Sequence, residues 1–104
     1  MEEKTYFEVK SSLGKSIRIA KSYWDRIIET KHPIMKGKEE IVKDTLKNPD
    51  EIRNSRKDSK VFLYYKKSNG KHSCVVAKHL NGDGFIVTTY ITDRIKIGEK
   101  HETN

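Results

Sequence analysis

The chain has 104 residues, enough for one domain with a single core. Its 22 lysines and arginines outnumber its 15 aspartates and glutamates, for a formal charge of +7. That favours polyanionic partners, with a merely solvated lysine surface as the plain alternative. No stretch is apolar enough to span a bilayer, no secretory leader is expected, and the one cysteine, Cys74, excludes an internal disulfide framework and fits a reducing cytoplasm.

The first two alternating segments, residues 5–10 and 16–20, flank a turn-rich link and predict a β-hairpin acting as an edge ribbon. Ser22 suits a helix N-cap, and Tyr23, Trp24, Ile27 and Ile28 follow at helical spacing, Trp24 reading as core. Pro33 disfavours helical geometry at His32 and stops this helix there. Gly37 then precedes a second amphipathic helix with Ile41, Val42, Thr45 and Leu46 on one face, ended by Pro49. Three strands follow at 60–66, 72–80 and 85–91, with a short last one at 94–97. Asn69-Gly70 marks a type I′ hairpin turn, and Gly82-Asp83 marks a second tight turn.

These elements predict one α+β domain over 1–104: an N-terminal β-hairpin (1–20), a helical region (21–58) and an antiparallel meander (59–98). Two helices packed on a three- to four-stranded meander are expected to cover one face. Strict alternation through both turns puts Phe62, Tyr64, Val75, Ala77, His79, Thr88 and Tyr90 on one face. Val61, Leu63, Tyr65, Cys74, Val76, Lys78, Val87 and Thr89 fall on the other, the more aliphatic and the expected core.

The first of these faces then groups the hydroxyls of Tyr64, Thr88 and Tyr90, a surface suited to phosphate and to stacked bases; ordinary half-exposed strand positions explain the same residues. Lys78 stands in a strand of Cys, Val, Val and Ala, where burial needs an anion or a snorkelling stem. His32, at a helix-to-loop break, either caps the helix or offers an imidazole for proton transfer near neutrality. Arg53 either grips a phosphate or is a loop charge.

The four histidines are scattered, no cysteine pair exists, and no P-loop, dinucleotide or nucleophile-elbow motif is present, so no metal or cofactor is expected. RNA cleavage requires neither, because the 2′-hydroxyl is itself the nucleophile and His, Lys, Arg, Thr and Tyr supply the rest.

From Tyr23 to Gly98 the chain resembles the phage-type branch of the barnase–EndoU–colicin–RelE-like (BECR) nucleases. The blocks that carry the resemblance are Tyr23-Trp-Asp-Arg-Ile-Ile28, His32-Pro33, Leu46-Lys-Asn-Pro-Asp-Glu-Ile52, Val61-Phe-Leu-Tyr-Tyr-Lys66, Val75-Val-Ala-Lys78, Phe85-Ile-Val-Thr-Thr-Tyr-Ile-Thr92 and Lys96-Ile-Gly98. The resemblance implies metal-independent endoribonuclease activity in a toxin, phage or mobile-element protein. It implies catalytic roles for His32, Lys78, Thr88 and Tyr90, and RNA contacts from Arg53, Tyr64, His79 and Thr92, with His79 the candidate second histidine. RNA is the expected partner, and a toxin also requires an acidic antitoxin or immunity protein. A non-catalytic RNA-binding module and a basic protein-interaction domain stand as alternatives.

Overall fold

The computed structural model describes residues 4–95 and, as backbone, 99–100. Among the described residues, seven strands form one sheet: β1 (Thr5–Lys10), β2 (Ser16–Ala20), β3 (Glu51–Asn54), β4 (Val61–Ser68), β5 (Lys71–His79), β6 (Asp83–Thr92) and the two-residue β7 (Glu99–Lys100). Their spatial order is β1-β2-β6-β5-β4-β3-β7, antiparallel except for the parallel contact of β2 with β6. The helices are short: α1 (Lys21–Arg26), which widens into a π turn over Ile27–Lys31, and α2 (Glu39–Lys47).

The expected helix-packed α+β meander is thereby corrected to a mostly-β, mixed sheet. The N-terminal hairpin forms one edge of the sheet, as expected, with β1 outermost, and β2 docks alongside β6 and buries Ile17 and Ile19 almost completely. Each such isoleucine contributes about 1.5–3 kcal/mol on burial, more than an exposed edge offers in return. The connector after α2, Glu51–Asn54, pairs with β4 and satisfies that strand's outer edge. Of the strand expected at 94–97, Arg94 forms a bend and Ile95 is irregular, while 96 and 97 lie outside the described residues, as does His101.

α1 starts directly out of β2 with Ala20 at its N-cap, so Ser22 sits inside the first turn rather than before it. At its other end Pro33 holds His32 at φ −138°, ψ 73°. The helix therefore closes on a wide turn, in which the His32 N–H donates to the Ile27 carbonyl at 2.7 Å. Such π turns recur at functional sites.

Trp24, Ile27, Met35, Val42 and Leu46 from the helical region pack on Ile52, Tyr64, Val75, Ala77 and Ile86 of the sheet. This is the face expected to be open. The expected core face carries a smaller cluster of Leu63, Tyr65 and Cys74, with Val61, Val76, Tyr90 and Ile95 against it.

Two turns and one bulge explain the inversion. The Asn69-Gly70 turn, with φ of 52° and 78°, fixes Tyr64 opposite Val75 and Phe62 opposite Ala77, as the sequence suggests. The second turn closes on Asn81 and Gly82 instead of Gly82-Asp83, since the Leu80 N–H donates to the Asp83 carbonyl at 2.6 Å. Ala77 then faces Ile86, but Val76 faces Thr88, leaving Val87 as an unpaired bulge residue. A bulge shifts every later side chain to the opposite face. Thr88 and Tyr90 thus pair with Val76 and Cys74, while Thr89 turns into the core. Tyr23 pins the bulge by donating its hydroxyl hydrogen to the Val87 carbonyl at 2.6 Å.

Candidate functional site

The sheet face away from the helices carries the candidate site. Its floor is the row Tyr65–Cys74–Tyr90, and above it lie Leu63–Val76–Thr88 and then Val61–Lys78–Phe85. His32, delivered by the π turn, meets this face at Tyr90: its ring centroid lies 5.4 Å from that of Tyr90. Below Tyr90, His72 faces Thr92 and sets its ring edge-on to Tyr65, with centroids 6.5 Å apart. His72 stands two positions before Cys74 on β5, and Cys74 faces Tyr90, so His72 is a diagonal cross-strand neighbour of Tyr90, about 7–8 Å away. Two imidazoles therefore flank one tyrosine.

Burial, then Cys74 and Tyr65 beside it, push the Tyr90 phenol above its ordinary range. The group therefore keeps its proton at physiological pH and can donate a hydrogen bond. The Thr88 hydroxyl and His72 Nδ1 are buried without a hydrogen-bond partner among the described residues. Lys78 escapes burial by snorkelling to Asp58, at 3.2 Å. The backbone N–H of Lys60 and then the Lys78 ammonium hold the Asp58 carboxyl below its ordinary range.

The chain matches no protein-family model, no curated protein and no solved structure. Its chemistry has to be read from the site itself.

Of the sequence-expected residues, His32, Lys78, Thr88 and Tyr90 share this face. Arg53 lies on it too, opposite Leu63, but is separated from Thr88 by two intervening strands, about 14 Å in all, and is paired with Glu51. The Thr92 hydroxyl is occupied at the strand end, where it donates to the Arg94 carbonyl at 3.0 Å and accepts from the Arg94 N–H. Tyr64 and His79 are not part of the site: both point into the main core on the opposite face. The residues overlooked from sequence are His72 and Tyr65. The first turn alone puts both beside Cys74, and only the unforeseen bulge hid their proximity to Tyr90. Among the described residues no group of three or more His, Cys, Asp or Glu side chains is placed to hold a metal ion.

Tyr64 and His79 instead build a buried structural network. The Tyr64 hydroxyl donates to Ser11 Oγ at 3.0 Å. Its one hydrogen is thereby used, so His79 Nε2 donates in the 2.8 Å contact with the same phenol. The His79 ring stacks on Phe62 at 3.9 Å. Burial pushes the Tyr64 phenol up from 10.0 to about 12, opposed in part by Ser11. The folded state therefore holds this proton more tightly than the unfolded chain does. The contribution is complete below pH 10 and is lost as pH rises from 10 to about 12. Tyr64→Phe is expected to flatten that alkaline loss while lowering stability at neutral pH by about 1–3 kcal/mol. Urea melts of both proteins across this range check it, and parallel pH curves would count against the network.

Proposed function

We propose that this chain is a metal-independent endoribonuclease acting through the sheet face around Tyr90. The observation that carries the reading is the contact of His32 with Tyr90, on the strand that also presents Thr88, next to Lys78. An RNA phosphate on this face has an imidazole on either side of it. One takes the 2′-hydroxyl proton as O2′ bonds to phosphorus; the other gives a proton to the departing O5′, leaving a 2′,3′-cyclic phosphate and a new 5′-hydroxyl. Tyr90 and Thr88 donate hydrogen bonds to the phosphoryl oxygens, and the Lys78 ammonium offsets the charge that builds there. The BECR resemblance supports the same reaction, with His72 in place of His79 as second histidine.

A protein of this activity in a cytoplasm endangers its own cell. The reading therefore includes a neutralising acidic protein, as in toxin–antitoxin and phage systems, matched to the +7 charge. No helix among the described residues is long and apolar enough to cross a membrane. A second reading, a non-catalytic RNA-binding module, is favoured by the pairing of Lys78 with Asp58 and Arg53 with Glu51, which leaves less unopposed charge for a transition state.

End-labelled RNA incubated with the purified protein in excess EDTA separates the two. The nuclease reading expects fragments ending in cyclic phosphate. Retarded but intact RNA, with retention falling steeply with salt, would establish the binding module instead.

A further inference from the structure

β2 and β6 run in parallel contact only from Ser16 to Arg18 and from Asp83 to Phe85. Beyond that point they diverge, and a cleft of about 420 Å³ opens between them, lined by Thr5, Arg18, Ile19, Ala20, Tyr23, Phe85 and Ile86. This volume suits a small planar ligand. Phe85 stands at the cleft with 38% of its surface exposed, one of the few large apolar side chains left in solvent. Tyr23 is held in place by its bond to the bulge carbonyl. The Arg18 guanidinium is oriented by Asp83 at 2.7 Å, which leaves its remaining N–H donors available. The backbones of Ile19–Ala20 and Ile86 have no ladder partner across the gap, so they offer donors and acceptors at its sides.

We propose that this cleft is a binding subsite for one unpaired nucleobase of single-stranded RNA. The inference rests on the reading of the sheet face as an RNA surface, and adds the element that selects sequence. An aromatic face for stacking, diverging strand edges for a base's hydrogen-bonding edge and an oriented guanidinium meet in one place, which is the chemistry that reads splayed-out bases. Phe85 also shares its strand and its face with Thr88 and Tyr90. It lies about 15 Å from Tyr90 along β6. A base seated there fixes the register of the RNA at a constant offset from the phosphate over Tyr90. Cleavage or binding should accordingly prefer one base class at that offset.

The test uses a 2′-O-methyl oligoribonucleotide, which cannot be cleaved because its attacking oxygen is blocked. Binding to wild type, Phe85→Ala, Phe85→Leu and Phe85→Tyr is measured by fluorescence anisotropy at fixed low salt. Phe85→Ala and Phe85→Leu are expected to weaken binding about 5- to 100-fold, and Phe85→Tyr to restore it. The leucine variant keeps apolar bulk, so a loss there reports the ring and not the fold. Nucleoside monophosphates should shift the NMR signals of Ile19 and Ile86, and should do so equally in His32→Ala. If Phe85→Leu binds as wild type, or nucleotides leave Ile19 and Ile86 unmoved, the subsite is wrong even where RNA is cut. If RNA survives EDTA digestion intact but the Phe85 series behaves as stated, the nuclease reading fails and the base subsite stands.

Discussion

His32→Ala is expected to slow RNA cleavage by about 10²–10⁴-fold, the range that loss of a positioned general acid or base produces. Its melting temperature should stay within a few degrees of wild type, because the His32 side chain is only half-buried and lies outside both core clusters. His32→Gln should be as slow as the alanine variant, since an amide fills similar space but exchanges no proton. Tyr90→Phe should act differently: it keeps the ring that packs beside His32 and removes only the donated hydrogen bond, for a loss nearer to tenfold. His72→Ala tests the second imidazole. If both histidines act in one reaction, the pH–rate profile is bell-shaped in wild type and loses one limb in each single variant. Cleavage of labelled RNA under single-turnover conditions measures all four. Full activity in His32→Gln would leave that ring with nothing but a packing role.

The parts of the structure that were legible in the sequence are those decided locally. Asn69-Gly70 has one backbone solution, so the β4–β5 register followed from two residues. Pro33 restricts the residue before it, so His32 at a helix end was equally readable. What escaped was decided by distant partners. Glu51-Ile-Arg-Asn54 has one apolar residue and no strand pattern of its own; it is a strand because the edge of β4 needs one. The parallel contact of β2 with β6 joins segments more than sixty residues apart, and the Ile-Arg-Ile alternation of β2 is the same in a free ribbon and in a docked strand. The bulge had the largest consequence. Val87 is a good strand former, and nothing in its type marks it as unpaired. Yet it inverts the face of Thr88, Thr89 and Tyr90, removing Tyr64 and His79 from the site and bringing Lys78 and His72 to it.

Replacing Gly84 with alanine should be among the most damaging single-methyl changes in the protein. Gly84 sits where three strands meet, facing His79 across the antiparallel ladder and Ile17 across the parallel one. A Cβ there would lie 2.3 Å from the Lys78 carbonyl oxygen, 2.9 Å from Ile17 Cδ1 and 3.3 Å from His79 Cα. The isoleucine could turn aside only within a site where it is completely buried, and the carbonyl belongs to the sheet backbone and cannot rotate away. Relief requires β6 to move from β5 or β2 to move from β6. Overpacking of this kind costs about 1–3 kcal/mol where side chains can yield, and the upper end applies when backbone must. For a domain near 100 residues that corresponds to a fall in melting temperature of about 10–20 °C. The shorter ladder should yield first, since β2 and β6 share only the contacts Ser16–Arg18 to Asp83–Phe85 against the full length of β5–β6. Amide exchange in Gly84→Ala should therefore accelerate in β1 and β2 before β4 and β5. A variant that melts like wild type, with the hairpin amides still protected, would mean that β2 does not pack beside β6 in solution, and the cleft between them would go with it.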